Sequence, residues 1–241
     1  MPIFERFIRY EWAEHALELA VQKRSPGLLR PWLEGQGLRG DSSRRTANII
    51  TWLWFPKDKS AQYLQQEALK LFPQLTLKER RVLHWGMALF VFPNFRQTAQ
   101  ICGRLLRLQG EFYKQDVIGR VLEHHSNQTT MRRATQRVLQ TITDWGLLSV
   151  SGKVYRACPP ETIGRPELCS WLLMGLLANA PEKYFLLSDL SNSGEFFPFS
   201  FSDFERVLHE NPVFSLHRNS SGDEMVGLSH FDLKENVVFQ K

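Results

Sequence analysis

The chain has 241 residues, of which 43% are hydrophobic and 12% aromatic, enough apolar material for packed cores and for two or three small domains. No apolar run approaches the roughly 18 residues a bilayer span requires, and acidic residues interrupt the start MPIFERFIRYEW where a secretion signal carries an apolar core, so a cytoplasmic protein is expected. Net charge is +5 overall, but it divides into +3 over 1–75, +8 over 76–160 and −6 over 161–241. A basic centre attracts phosphate, and an acidic end is repelled by it. Three widely spaced cysteines, Cys102, Cys158 and Cys169, suit a reducing compartment without disulfides.

Apolar spacing predicts an amphipathic helix from Phe4 to Gln22, lined by Phe7, Ile8, Trp12, Ala16, Leu19 and Ala20 and broken by Ser25-Pro26-Gly27. A short helix follows over 28–34. After a glycine-rich loop, Asp41 or Ser42 caps a helix rich in apolar residues that ends at Pro56, and a further helix spans 58–72. Thr76-Leu77-Lys78-Glu79 reads as a capping box, so a long helix opens at Leu77 and runs to Val91. Helices over 95–108 and 113–125 come next, the second with Val117, Ile118, Val121 and Leu122 inward and a polar turn, Ser126-Asn127-Gln128, after it.

The stretch from Thr129 to Cys158 carries the most information. With Thr129 or Thr130 as cap, Met131, Ala134, Val138, Ile142 and Trp145 recur at spacings of three and four and form one buried stripe. The opposite face holds Arg132, Arg133, Gln136, Arg137 and Gln140, side chains able to grip phosphates and to pair bidentately with base edges. Gly146 ends the helix, Leu147, Leu148 and Val150 form a strand, Ser151-Gly152 turn it, and Lys153 to Ala157 return. Taken alone such a charge run also describes a solvated surface helix; the hairpin and the +8 segment favour the binding reading.

The last third repeats this order: helices over 168–179, 186–191 and 202–210, then strands over 213–218 and 224–228 around Asn219-Ser220-Ser221-Gly222. Its equivalent helix displays Asp203, Glu205, Arg206 and Glu210, an acidic face suited to a protein partner rather than to phosphates. FDLKENVVFQK at the end offers a further strand. Phe196, Phe197, Phe199 and Phe201 form an aromatic cluster that serves either as a partner patch or as core.

Catalytic constellations are missing: no nucleophile elbow, P-loop, dinucleotide fingerprint or zinc-protease motif occurs. His124-His125 point about 100° apart on a helix and make a poor metal pair. Asp116, Glu123 and Asp144 stand singly among basic residues and are expected to pair with them. The expectation is therefore a non-enzyme with no cofactor and no metal.

Residues 112–158 resemble the winged helix-turn-helix superfamily, and 168–228 are similar in their order of elements. The whole layout, with Ser43-Arg44-Arg45, TLKERRVLHW and DWGLL, also resembles BrxA, the small helical accessory proteins of bacteriophage-exclusion (BREX) systems. The resemblance implies a mainly α fold in which an N-terminal helical domain (1–75) precedes a basic winged-helix domain (76–160) and an acidic winged-helix-like interaction domain (161–241), each module with a small β-hairpin wing. It further implies a non-catalytic double-stranded DNA-binding component of a phage-defence system, with no membrane partner. Thr130, Arg132, Arg133, Gln136, Arg137, Gln140, Lys153 and Arg156 would contact DNA; Arg44, Arg45, Lys114 and Arg120 would add phosphate contacts. Another protein would dock on the acidic module, and a homodimer stays open. Two alternatives remain: a protein-protein adaptor, or a ligand-responsive regulator with an apolar pocket near Trp52, Trp54 and Trp85.

Overall fold

The computed structural model describes residues 2–123, 125–178 and 184–229. It is mainly α, with eleven α-helices and eight short strands among the described residues. Five helices build the first part: α1 (Tyr10–Val21), α2 (Leu29–Gly35), α3 (Gly40–Trp54), α4 (Lys59–Leu71) and α5 (Leu77–Val91). Local chemistry starts several of them. Asp58 accepts a bond from the Ala61 amide at the head of α4, and Thr76 and Glu79 form the expected reciprocal capping box of α5. The cap expected for α3 does not form: Arg39 holds that position, and Ser43 is buried, donating to Glu34 and Gly40.

The expected helix over residues 4–22 is shorter by its first six residues. Phe4 and Ile8 are buried, as their spacing suggests, but they lie in a non-helical arm ahead of Tyr10. Its backbone finds partners far along the chain. The Phe4 amide donates to Asn94, the Ile8 amide to Thr141 Oγ1 at 3.0 Å, and the Tyr10 amide to Asp144 Oδ1 at 2.8 Å, while Trp145 Nε1 donates to the Ile8 carbonyl. At Phe4, Ile8 and Tyr10, tertiary bonds stand in for the helical ladder.

A buried polar chain links α1, α3 and α5. Trp54 Nε1 donates to His84 Nδ1 at 3.0 Å, which leaves Nε2 as the protonated ring nitrogen facing Glu14 at 3.0 Å; Arg80 reaches the other Glu14 oxygen at 2.7 Å. His84 is wholly buried. Burial holds its imidazole below the ordinary histidine range, and the Glu14 carboxylate opposes this only partly.

The remaining elements form two runs of one order. The first is α6 (Pro93–Gln109), β1 (Glu111–Tyr113), α7 (Lys114–Leu122), α8 (Gln128–Asp144), β2 (Leu148–Ser151) and β3 (Val154–Ala157), with the strands arranged β1-β3-β2. After β4 (Glu161–Ile163), the second is α9 (Pro166–Ala178), β5 (Tyr184–Leu186), α10 (Leu187–Ser191), α11 (Phe204–Glu210), β7 (Phe214–Arg218) and β8 (Glu224–Leu228), arranged β5-β8-β7. In both sheets the last strand lies in the middle and all pairs are antiparallel. Between α10 and α11, β6 (Phe199–Phe201) pairs in parallel with β4.

The two runs meet without a gap. Gly103 on α6 faces Gly194 so closely that a Cβ at position 103 would stand 2.1 Å from the Gly194 carbonyl oxygen. Trp85 donates to the Glu195 carbonyl, and Arg96 is ion-paired with Glu195. One hydrophobic cluster extends from Phe4 through Trp85 and Trp145 to Val226. The aromatic cluster belongs to it: Phe196 and Phe199 are buried, and Phe197 and Phe199 stand edge-on to Trp85. Phe196 and Phe199 are therefore core, while Phe197 and Phe201 stay half-buried at its edge. Trp54 and Trp85 are likewise fully buried, and neither of the two clefts described below is lined by Trp52, Trp54 or Trp85. No helix among the described residues is long and apolar enough to cross a membrane. The final segment FDLKENVVFQK and His124 lie outside the described residues.

Candidate nucleic-acid interface

Helix α8 is set by its two faces. Met131, Ala134, Val138, Ile142 and Trp145 are buried as the spacing demands, each removal from water contributing roughly 1.5–3 kcal/mol for the larger side chains. The cap lies two or three residues earlier than expected, at Asn127, whose Oδ1 accepts from the Thr130 amide at 3.2 Å. Thr129 and Thr130 lie inside the first turn instead. Asp144, expected to pair with a basic side chain, caps α1 through the Tyr10 amide, and Asp116 likewise accepts from the Tyr113 amide at the head of α7. Both carboxylates thereby satisfy helix-start N–H groups and leave the nearby arginines unneutralised.

On the outward face Arg132, Arg133, Arg137 and Gln140 are exposed, Gln136 and Thr130 partly so. Among the described residues no carboxylate lies within ion-pair distance of Arg132, Arg133 or Arg137; Arg137 donates to Gln140 Oε1 at 2.8 Å, which aligns these two side chains one turn apart. Lys153 stands exposed at the tip of the β2–β3 hairpin, beside Gly152, whose φ of +61° makes the turn. Lys114 and Arg120 occupy the two ends of α7, which packs on α8, and they too lack a carboxylate partner among the described residues.

Other basic residues named from sequence are brought elsewhere. Strand register puts Phe112, Tyr155 and Val150 on one face of the sheet and Glu111, Arg156 and Ser149 on the other. Phe112 and Tyr155 stack at 5.3 Å, whereas Arg156 is ion-paired with Glu111. Tyr155 and Val150 line a cleft with Arg137 and Gln140, so Arg156 sits on the sheet face turned away from this part of α8. Arg44 and Arg45 both bind Asp41, at 2.5 and 2.6 Å, and Arg45 also approaches Glu5. The Asp41 carboxyl is held below its usual range by these guanidinium groups, Arg44 foremost. These three arginines reach solvent already answered by an acid.

The cleft has a volume of about 410 Å³ and is walled by Phe7 from the arm, Arg137, Gln140, Thr143 and Asp144 from α8, and Val150 and Tyr155 from the hairpin. Sequence reasoning missed the arm because its signal, Phe4 and Ile8 at a spacing of four, is also that of a helix. No family model, curated protein or solved structure matches the chain. Function therefore has to be read from the geometry itself.

The corresponding surface of the second run differs in charge. Asp203, Glu205, Arg206 and Glu210 are exposed on α11, and Arg206 lies between Asp203 and Glu210 at 3.8 and 3.7 Å. Phe196, Phe199, Phe201 and Phe204 floor an open cleft of about 630 Å³ rimmed by Asp203, Glu205 and Arg206. No group of three or more His, Cys, Asp or Glu able to hold a metal ion occurs among the described residues, and His125 is bonded to Gln97.

Proposed function

We propose that this protein binds double-stranded DNA, without catalysis, through a winged helix made of α6, β1, α7, α8, β2 and β3. The observation that carries the reading is the row of unneutralised arginines on α8 beside a hairpin whose tip holds Lys153. Asp144 and Asp116 are engaged by helix-start amides and not by these arginines, so the arginine face of α8 stays positively charged, as a phosphate-binding face requires. The order helix, strand, helix, helix, hairpin supports the winged-helix assignment, with α8 entering the major groove and the hairpin flanking it. Arg132, Arg133, Gln136, Arg137 and Gln140 are the base and phosphate contacts of this reading, and Lys153, Lys114 and Arg120 its outer phosphate contacts. Arg156, Arg44 and Arg45 drop to a minor role because each would have to give up an acid first.

The second run is a winged-helix relative of the first, turned to a protein partner by the acid-rimmed aromatic cleft beside α11. The chain is then a cytoplasmic, DNA-binding component of a larger assembly, in keeping with its resemblance to the BREX accessory proteins. The test is an electrophoretic shift with duplex DNA over a series of salt concentrations. The parent is expected to lose affinity steeply with salt, and Arg133→Ala with Arg137→Ala to weaken binding while preserving the circular dichroism spectrum. Absence of a shift, or a shift indifferent to salt, overturns the proposal and favours the adaptor reading.

A further inference from the structure

The N-terminal arm is bound to α8 more closely than to the helix it precedes. Three backbone groups, the amide and carbonyl of Ile8 and the amide of Tyr10, take Thr141, Trp145 and Asp144 as partners, all in the last turn of α8 or just past it. Asn94 clamps the other end by bonding both the amide and the carbonyl of Phe4. Between the clamps Phe7 forms a wall of the cleft that Arg137 and Gln140 line. Arg6 and Arg9 flank this segment and therefore lie along the same part of α8.

Their electrostatic surroundings match those of α8. Glu5, next to Arg6 in sequence, approaches Arg45, and among the described residues neither Arg6 nor Arg9 has a carboxylate within ion-pair distance. Arg9 rests with its guanidinium 5.5 Å from the Trp12 ring, a contact that positions the group and leaves its N–H donors open. Elsewhere in the first part of the chain Arg30, Arg44 and Arg45 are each answered by Glu34, Asp41 or Glu5. Because the arm's backbone is already bonded in place, contacting an anion requires ordering only two side chains.

We infer that the N-terminal arm is a third element of the interface, with Arg6 and Arg9 binding backbone phosphates of the same duplex beside those held by α8. This rests on the reading of α8 above and extends it to Arg6 and Arg9, 137 and 134 positions away in sequence from the cleft's far wall at Thr143.

The experiment measures duplex affinity against salt for the full-length parent, for Arg6→Ala with Arg9→Ala, and for Lys23→Ala with Arg24→Ala. The last pair removes the same charge from the opposite end of α1, about 18 Å along a 12-residue helix. Each lost phosphate contact lowers the slope of log affinity against log salt by about 1, so the arm variant is expected to lose about 2 and the control pair nothing. Arg6→Gln with Arg9→Gln keeps the aliphatic stems that pack on the arm and serves if the alanine variant does not fold. Slopes that match the parent, or that fall equally in the control pair, overturn the inference while leaving α8 intact. Loss of duplex binding by Arg133→Ala with Arg137→Ala alone marks that case; a parent that does not bind overturns both.

Discussion

Replacing Glu14 by alanine is expected to cost about 3–5 kcal/mol, the loss that follows when one member of a buried ion pair is removed and the other charge stays behind. Three donors converge on this carboxylate: Arg80 at 2.7 Å, His84 Nε2 at 3.0 Å and Tyr10 Oη at 3.2 Å. None has an easy escape. Arg80 lies 4.0 Å over the Phe72 ring with its Nε already buried and unbonded, and His84 is locked by the indole N–H of Trp54. Tyr10 alone keeps a second partner, the Leu77 carbonyl. Against a typical total of 5–15 kcal/mol the loss is large, and it lowers the melting temperature by on the order of 10 °C. Urea unfolding followed by circular dichroism and tryptophan fluorescence measures it. Glu14→Gln, which retains one acceptor oxygen, is expected to fall between the parent and the alanine variant. A loss below about 1 kcal/mol for Glu14→Ala, the figure for a solvent-screened pair, would refute the argument.

The same network makes stability depend on pH. His84 is held below its ordinary range by burial, so the unfolded chain takes up a proton near pH 6.5 that the folded chain resists; this stabilisation is present above that pH and is lost as pH falls through and below it. His84→Gln is expected to flatten the unfolding free energy between about pH 7.5 and 5.5 relative to the parent, measured by urea titration; an unchanged slope assigns the effect to His15, also held low by burial. Gly103→Ala drives a methyl group into the Gly194 carbonyl, 2.1 Å away, and is expected to destabilise by about 1–3 kcal/mol; calorimetry showing no fall in melting temperature would mean that α6 and this turn do not touch so closely. Asp144→Ala removes the cap on α1 and is expected to cost about 1 kcal/mol, with amide exchange at Tyr10 accelerated beyond that at the middle of α1.

Where local chemistry was decisive, the sequence was legible. Thr76 and Glu79 announce the start of α5, the stripe from Met131 to Trp145 sets the buried face of α8, and Ser151-Gly152 marks the hairpin, since each depends on residues within a turn or two of one another. Three-residue strands were not legible: β1 and β5 hold together only by pairing with β3 and β8, 45 and 43 positions away at Glu111–Arg156 and Tyr184–Gly227 respectively, and carry too few residues to show an alternation. The cap was not legible either: Asn127, Thr129 and Thr130 are all capping residue types, and the structure gives the role to Asn127, the better cap by type, whose side chain accepts from the Thr130 amide.

Sequence by itself determined the helical content, the amphipathic arginine-bearing α8, the hairpin after it and the contrast of charge between the two runs, all consequences of order and spacing along the chain. Tertiary structure alone decided which cations remain available. Arg156 meets Glu111, Arg45 meets Asp41 and Glu5, and Asp144 is spent on the Tyr10 amide 134 positions upstream, whereas Arg132, Arg133 and Arg137 keep their charge. Only folding also brings the N-terminal arm to the end of α8, with Phe7 in the cleft that Arg137 lines, because electrostatic neutralisation and packing act over a few ångströms of space and are blind to distance along the chain.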